Sequence, residues 1–165
     1  MKTQHGQTIE HVAPALVVVE PLTDTEAIAS LLYMVEEEKM AMDVYETLYA
    51  QTGLAIFDKI ASSEEKHMDA LINVATKLGV DTSFISTEIG LFTNETISSL
   101  YTDLISQASS STDAALAVGV LIEQTDIADL QSTIAETDVA LLGLVYSHLL
   151  NGSEHHLSAF EYTLA

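Results

Sequence analysis

The sequence predicts an all-α fold, a four-helix bundle made of two helical hairpins joined by a long crossover that carries a short helix of its own. Three observations lead there. Apolar residues recur at the spacing of one helix face over four long segments, neither of the two prolines falls inside a segment, and the connections alternate short, long, short. A short connection makes two helices antiparallel neighbours, whereas the stretch from Val80 to Ser111 can run the length of a bundle.

The first helix is expected from about Asp24 to Ala50, with Leu31, Val35, Met42, Tyr45 and Tyr49 as its stripe and Thr52-Gly53 as its close. Glu38 lies on that stripe. Glu36 and Glu37 turn away from it by about 100° per residue and are expected in solvent, although a slight rotation of the helix would exchange Glu38 for Glu37. The second helix, from about Phe57 to Leu78, buries Ile60, Leu71, Val74 and Leu78 and stops at Gly79. The crossover helix is expected around Glu95 to Gln107. The third long helix, from about Thr112 to Ala135, starts at an N-cap of Ser111 or Thr112 and carries Leu116, Val120, Ile127, Leu130 and Ile134. The fourth, from about Asp138 to Leu164, uses Leu142, Val145, Leu149, Ala159 and Tyr162, with Asn151-Gly152 as a place for a kink. Residues 1–23 form an N-terminal arm and residues 24–165 the domain.

Composition narrows the function. With 25 Asp and Glu against five Lys, no Arg and a formal net charge of −20, the surface repels phosphate backbones and anionic lipid. Nucleic-acid binding and membrane-surface roles are excluded on that ground. Without cysteine there is no disulfide, thiolate zinc site, iron–sulfur cluster or thiol nucleophile. The apolar stretch Val12–Val19 is too short to span a bilayer and reads poorly as a leader. It serves either as a homodimer contact or as an arm folded back on the domain. Lack of a leader favours the cytoplasm, and the acidic, cysteine-free composition suits export equally well.

The chemistry lies in polar residues on apolar stripes. Glu38, Glu64, His67, Glu123 and His156 all fall where a core residue belongs, and a dry, unpaired carboxylate costs several kcal/mol, a large part of a domain's whole stability. Glu64 and His67 form a Glu-x-x-His pair on one helix face, so both can grip one ion. An internal repeat aligns Ile60–Leu71 with Leu149–Phe160, which matches His67 to His156 and Glu64 to Ser153. The order Glu, Glu-x-x-His, Glu, x-x-x-His follows the ligand template of ferritin-like carboxylate bundles. His155 and His156 bracket the inner face, and the repeat selects His156. Tyr45 shares a face with Glu38 and serves either core packing or a bond to a ligand carboxylate.

The stretches LLYMVEEEKMAMDVYETLY, IFDKIASSEEKHMDAL, GVLIEQTDIADLQ and NGSEHHLSAF resemble an uncharacterised ferritin-like family of bacterial and archaeal proteins, distantly similar to rubrerythrins. The similarity covers roughly Ala27 to Phe160. It implies a ferritin-like four-helix bundle with a metal site on Glu38, Glu64, His67, Glu123 and His156. Ser153 departs from the pattern, because a second Glu-x-x-His would have its Glu there. Asp126, one turn beyond Glu123, is the residue that can replace the missing carboxylate; without it one metal position is weak or empty and the site mononuclear or half-occupied. Nitrogen and carboxylate ligands without thiolate suit iron, manganese or zinc, and the bundle favours two iron ions. The leading expectation is a di-iron or di-manganese oxidoreductase acting on O2, peroxide or Fe(II), dependent on an external electron donor. The alternatives are a non-enzymatic protein that sequesters metal ions and a structural bundle without metal.

Overall fold

The computed structural model describes residues 19–165, and all regular structure among them is helical. Helix α1 spans Thr25–Thr52, α2 Ala55–Lys77, α3 Glu95–Ala108, α4 Thr112–Glu136 and α5 Ala140–Leu164. The arm expected over 1–23 lies outside the described residues except for its last five. Of these, Leu22 donates its N–H to Leu78 O (2.8 Å) and so ties the entry of α1 to the end of α2.

Local chemistry fixes the helix ends. The Asp24 carboxylate accepts from the N–H groups of Glu26 (2.9 Å) and Ala27 (3.4 Å), and Asn94 and Ser111 cap α3 and α4 in the same way. Gly53 closes α1 at a φ of 70°, a conformation that costs other residues energy, and returns its N–H to Tyr49 O (2.8 Å).

Helices α1 and α2 form one hairpin and α4 and α5 another; α2 packs on α5, α1 on α4, and α3 lies against α1 and α4. Two apolar cores result. One gathers Val44, Leu48, Phe57, Phe160 and the inner face of α3, and the other Leu31, Val35, Leu71, Leu130, Tyr146 and Leu149. Each of the four long helices passes from one core to the other. Between the cores, at the same level on all four, sit Glu38, Glu64 with His67, Glu123 with Asp126, and Ser153 with His156. A belt of ionisable groups therefore separates the two apolar cores.

Some expectations fail, for traceable reasons. Glu36 and Glu37 are buried, because the crossover with α3 covers Glu36 and α4 covers Glu37, on sides of α1 that a single-stripe reading leaves open. Tyr49 and Tyr162 are exposed, the latter by 87%, and the aromatics that α5 sends inward are Tyr146 and Phe160. Helix α5 runs through Asn151-Gly152 without interruption.

The crossover is fastened by buried charge. Both oxygens of Glu36 accept from the start of α3, one from Thr93 N (2.7 Å) and the Thr93 hydroxyl, the other from Asn94 N (2.7 Å). A carboxylate facing free N–H groups at a helix start is stabilised by hydrogen bonds and dipole together. Lys39, 1% exposed, donates to Asp43 (2.5 Å) and Glu88 O (2.8 Å) and lies over the Phe92 ring, while Asp43 also accepts from Gly90 N (2.9 Å). These three charged residues have partners within the protein. No helix among the described residues is long and apolar enough to cross a membrane.

Candidate metal centre

The remaining buried charges meet one another and not a lysine or a helix start. Glu64 is 2% exposed and divides its carboxylate between two imidazoles: Oε2 lies 2.7 Å from His67 Nδ1 and Oε1 2.8 Å from His156 Nδ1. Beyond each imidazole stands another carboxylate, with Glu38 Oε2 3.4 Å from His67 Nδ1 and Glu123 Oε2 3.5 Å from His156 Nδ1. The five residues form two like halves that share Glu64. Donor atoms of Glu64, His67 and His156 all lie within 4.8 Å of one another.

Close approach here is not hydrogen bonding. His67 Nδ1, His156 Nδ1, Glu64 Oε2 and Glu38 Oε1 are all buried with no bond of acceptable direction, so the atoms face common space and not one another. Unpaired buried polar atoms are costly and rare, and four at one spot call for a missing partner.

The surroundings orient the two imidazoles. His156 Nε2 contacts the Ser63 hydroxyl (3.0 Å), which leaves Nδ1 to face Glu64. His67 Nε2 points at Gly152, where a Cβ would stand only 2.5 Å away. The rings stack at 5.4 Å between centroids, tilted by 29°. In the internal repeat Ser63 aligns with Gly152, so each histidine abuts the same position of the opposite helix. Tyr45, fully buried against Phe57 and Phe160, donates to Glu123 Oε1 (2.6 Å).

Asp126 lines the same crevice as Glu38, Glu64 and Glu123, and its Oδ1 has no partner. Its neighbour across the bundle is Ser153, whose hydroxyl donates to Leu149 O (3.1 Å) and stands close enough to favour a charged Asp126. Asp126 belongs to the belt without touching either imidazole, and His155 and Glu154 point outward. Glu37, expected in solvent or in place of Glu38, is buried alongside it, and the contacts of Ser63 and Gly152 with the histidines were not anticipated. The repeat held a signal for the last two, since it pairs them beside the histidines.

Burial and mutual repulsion set the electrostatics. Burial raises Glu38 well above the usual carboxylate range, and Asp126 and Glu64 push it further. Glu123 is pushed up to about 8 by burial and the Glu64 charge, against the pull of His156, and Asp126 to about 7 by burial and Glu64, against Ser153 and the histidines. Burial would raise Glu64 as well, but the two histidines outweigh it and hold it at about 2. His156, which burial alone would lower, is raised to about 10 by Glu123 and Glu64.

The family model described as "Uncharacterized protein domain (DUF2202)" matches residues 27–165. The chain belongs to this family. The match takes in all five helices from Ala27 onward, and so every residue of the buried cluster described above. A relative, "Uncharacterized protein MJ0754" of Methanocaldococcus jannaschii, is 40% identical over 141 residues, 86% of this chain and 76% of its own. The crystal structure of hypothetical protein MJ0754 superposes with a TM-score of 0.83 at 40% identity, covering 87% of this chain and 82% of that one. The DUF2202 bundle is thus similar to a fold seen in an archaeal relative.

Proposed function

We propose that this DUF2202 chain is a ferritin-like four-helix bundle whose buried belt holds a carboxylate and histidine metal centre, with two iron ions as the first choice and manganese or zinc as alternates. One observation carries the reading: Glu64 turns one oxygen to each of two histidines whose Nδ1 atoms are buried, adjacent and unpartnered. That arrangement fits a carboxylate that bridges two positions. His67 and Glu38 would complete one position, His156 and Glu123 the other. Asp126 would stand in for the carboxylate absent at Ser153.

The donor set, nitrogen and oxygen without sulfur, suits iron, manganese or zinc. Iron or manganese held there as a pair would supply the electrons that reduce O2 or peroxide, or take them from Fe(II), whereas zinc, which has no redox chemistry, fits only the holding of an ion. The chain's own residues hold and orient. Tyr45 fixes Glu123, Ser63 fixes His156, and the two apolar cores exclude bulk water from the belt. The crevice is lined by carboxylates with Ala41 and Ile122 and is too tight for an organic substrate. Without cysteine an electron donor must be external. The same fact supports a second reading, storage or sequestration of the metal without turnover.

Elemental analysis of protein purified without chelator from iron- and manganese-supplemented cells is the test, repeated on a Glu64→Ala, His67→Ala variant. Near two metal ions per chain, lost in the variant, is the expected result. A metal-free wild type would sink both readings. Consumption of peroxide by the loaded protein with an added reductant separates turnover from storage.

A further inference from the structure

A second group of acids continues outward from the belt. Glu37, 2% exposed, lines the same crevice as Asp126, and Asp129, one turn further along α4, is near enough to repel it. Glu37 and Asp126 line one crevice with Glu38, Glu64 and Glu123, so outer and inner carboxylates form one continuous wall. Glu37 Oε2 and Asp126 Oδ1 are both buried without any partner. Among the described residues none of the three acids pairs with a lysine. Buried carboxyl groups gathered on one wall need protons or a cation to offset their repulsion. Asp129 and Tyr33 at the outer end are half-buried, so the line of acids runs from the surface to Glu64.

We propose that Glu37, Asp126 and Asp129 form a second, outer site for a divalent cation, through which ions reach the histidine-containing centre. The inference deepens the metal-centre reading and rests on it for the destination, though not for the outer site itself. Oxygen-only ligands at the outer site and mixed oxygen and nitrogen ligands inside give a transition-metal ion reason to move inward, since imidazole binds such ions more strongly than carboxylate alone. A cleft of one charge sign also raises the local concentration of counter-ions at its mouth. Glu37 and Asp129 serve arrival, and Asp126 stands at the junction.

Co2+ is the probe, because bound ions can be counted at equilibrium and their arrival followed by visible absorption in a stopped-flow instrument. Three proteins are compared with the wild type: Glu37→Gln with Asp129→Asn, Glu64→Ala with His67→Ala, and all four changes together. The isosteric outer pair removes repulsion, so it should fold at least as well as the wild type, which circular dichroism checks. We expect that pair to fill the inner centre at least about tenfold more slowly, the lower end of what a charged cleft contributes to association, and to reach the same inner occupancy. The inner pair should keep one weakly held Co2+ that the fourfold variant lacks. Uptake at the wild-type rate by the outer pair, or no difference between the inner pair and the fourfold variant, overturns the proposal. Retention of every Co2+ by the inner pair would instead refute the histidine centre, a separate result.

Discussion

Gly152 of α5 and His67 of α2 touch so closely that a single added carbon on the glycine would stand 2.5 Å from His67 Nε2. The glycine is what allows the imidazole to lie flat between the helices with Nδ1 turned to Glu64. In Gly152→Ala the ring must swing away. Helix propensity favours alanine by about 0.5–1 kcal/mol, which offsets part of the crowding, so the metal-free protein should melt near the wild-type temperature. Metal affinity, measured by competition with a chelator, should fall about 10- to 100-fold, the usual loss when a ligand loses its orientation. Unchanged affinity would mean that His67 is not a ligand.

Tyr45→Phe deletes the hydroxyl that donates to Glu123 and leaves the packing against Phe57 and Phe160 intact. Leaving a buried carboxylate short of a donor costs about 1–3 kcal/mol, visible in urea unfolding of the chelated protein. Metal should leave this variant faster, at the position completed by His156 and Glu123. Equal off-rates for both positions would contradict the assignment.

Stability of the metal-free protein should fall as pH rises. Asp126 and Glu123 keep their protons in the folded state up to about 7 and about 8, whereas their ordinary values are 3.8 and 4.5. The folded state therefore binds more protons than the unfolded chain above pH 4, and each unit of pH weakens it until the folded values are passed. His156 acts in the same direction, its stabilisation complete below 6.5 and lost on the way to about 10. Glu64, held at about 2, acts oppositely and matters only in acid. Melting of the chelated protein between about pH 5 and about pH 9 should show a steady decline. Bound cations replace those protons, so the loaded protein should show a flat or rising profile and release protons on uptake.

Glu36→Ala should damage the crossover and spare the centre. It removes the acceptor for Thr93 and Asn94, with an expected loss of about 2–3 kcal/mol for hydrogen bonds to a charged group. Amide exchange at Thr93 to Ile97 should accelerate while the metal count per chain stays at the wild-type value. A lower count would show that α3 supports the belt directly.

The helices and the belt were legible because both rest on period. Glu38, Glu64, His67 and Glu123 interrupt apolar stripes at 3.6-residue spacing, and each is buried as that spacing requires. His156 was separated from His155 by the repeat, which preserves helix phase across the two hairpins. Glu36, Glu37, Lys39 and Asp43 were not legible, because a stripe describes one buried side and α1 is covered by α2, α3 and α4. Buried charge that caps another helix has no signature in its own helix. Tyr49 and Tyr162 failed for the converse reason, since a residue late in a helix can keep the period after its neighbours have ended.

The clamp of Glu36, Lys39 and Asp43 on the crossover bears on how two copies of this chain can associate. Exchange of the α4–α5 hairpin between copies needs a hinge, and the segment joining the hairpins is the one place for it. That segment is bolted to its own α1 through Thr93, Asn94, Glu88 and Gly90. Opening it would strip partners from two buried carboxylates and a buried ammonium at once. Exchange of that hairpin would therefore have to break the clamp first, and the same clamp that fastens the crossover holds the four contributors to the belt on one chain.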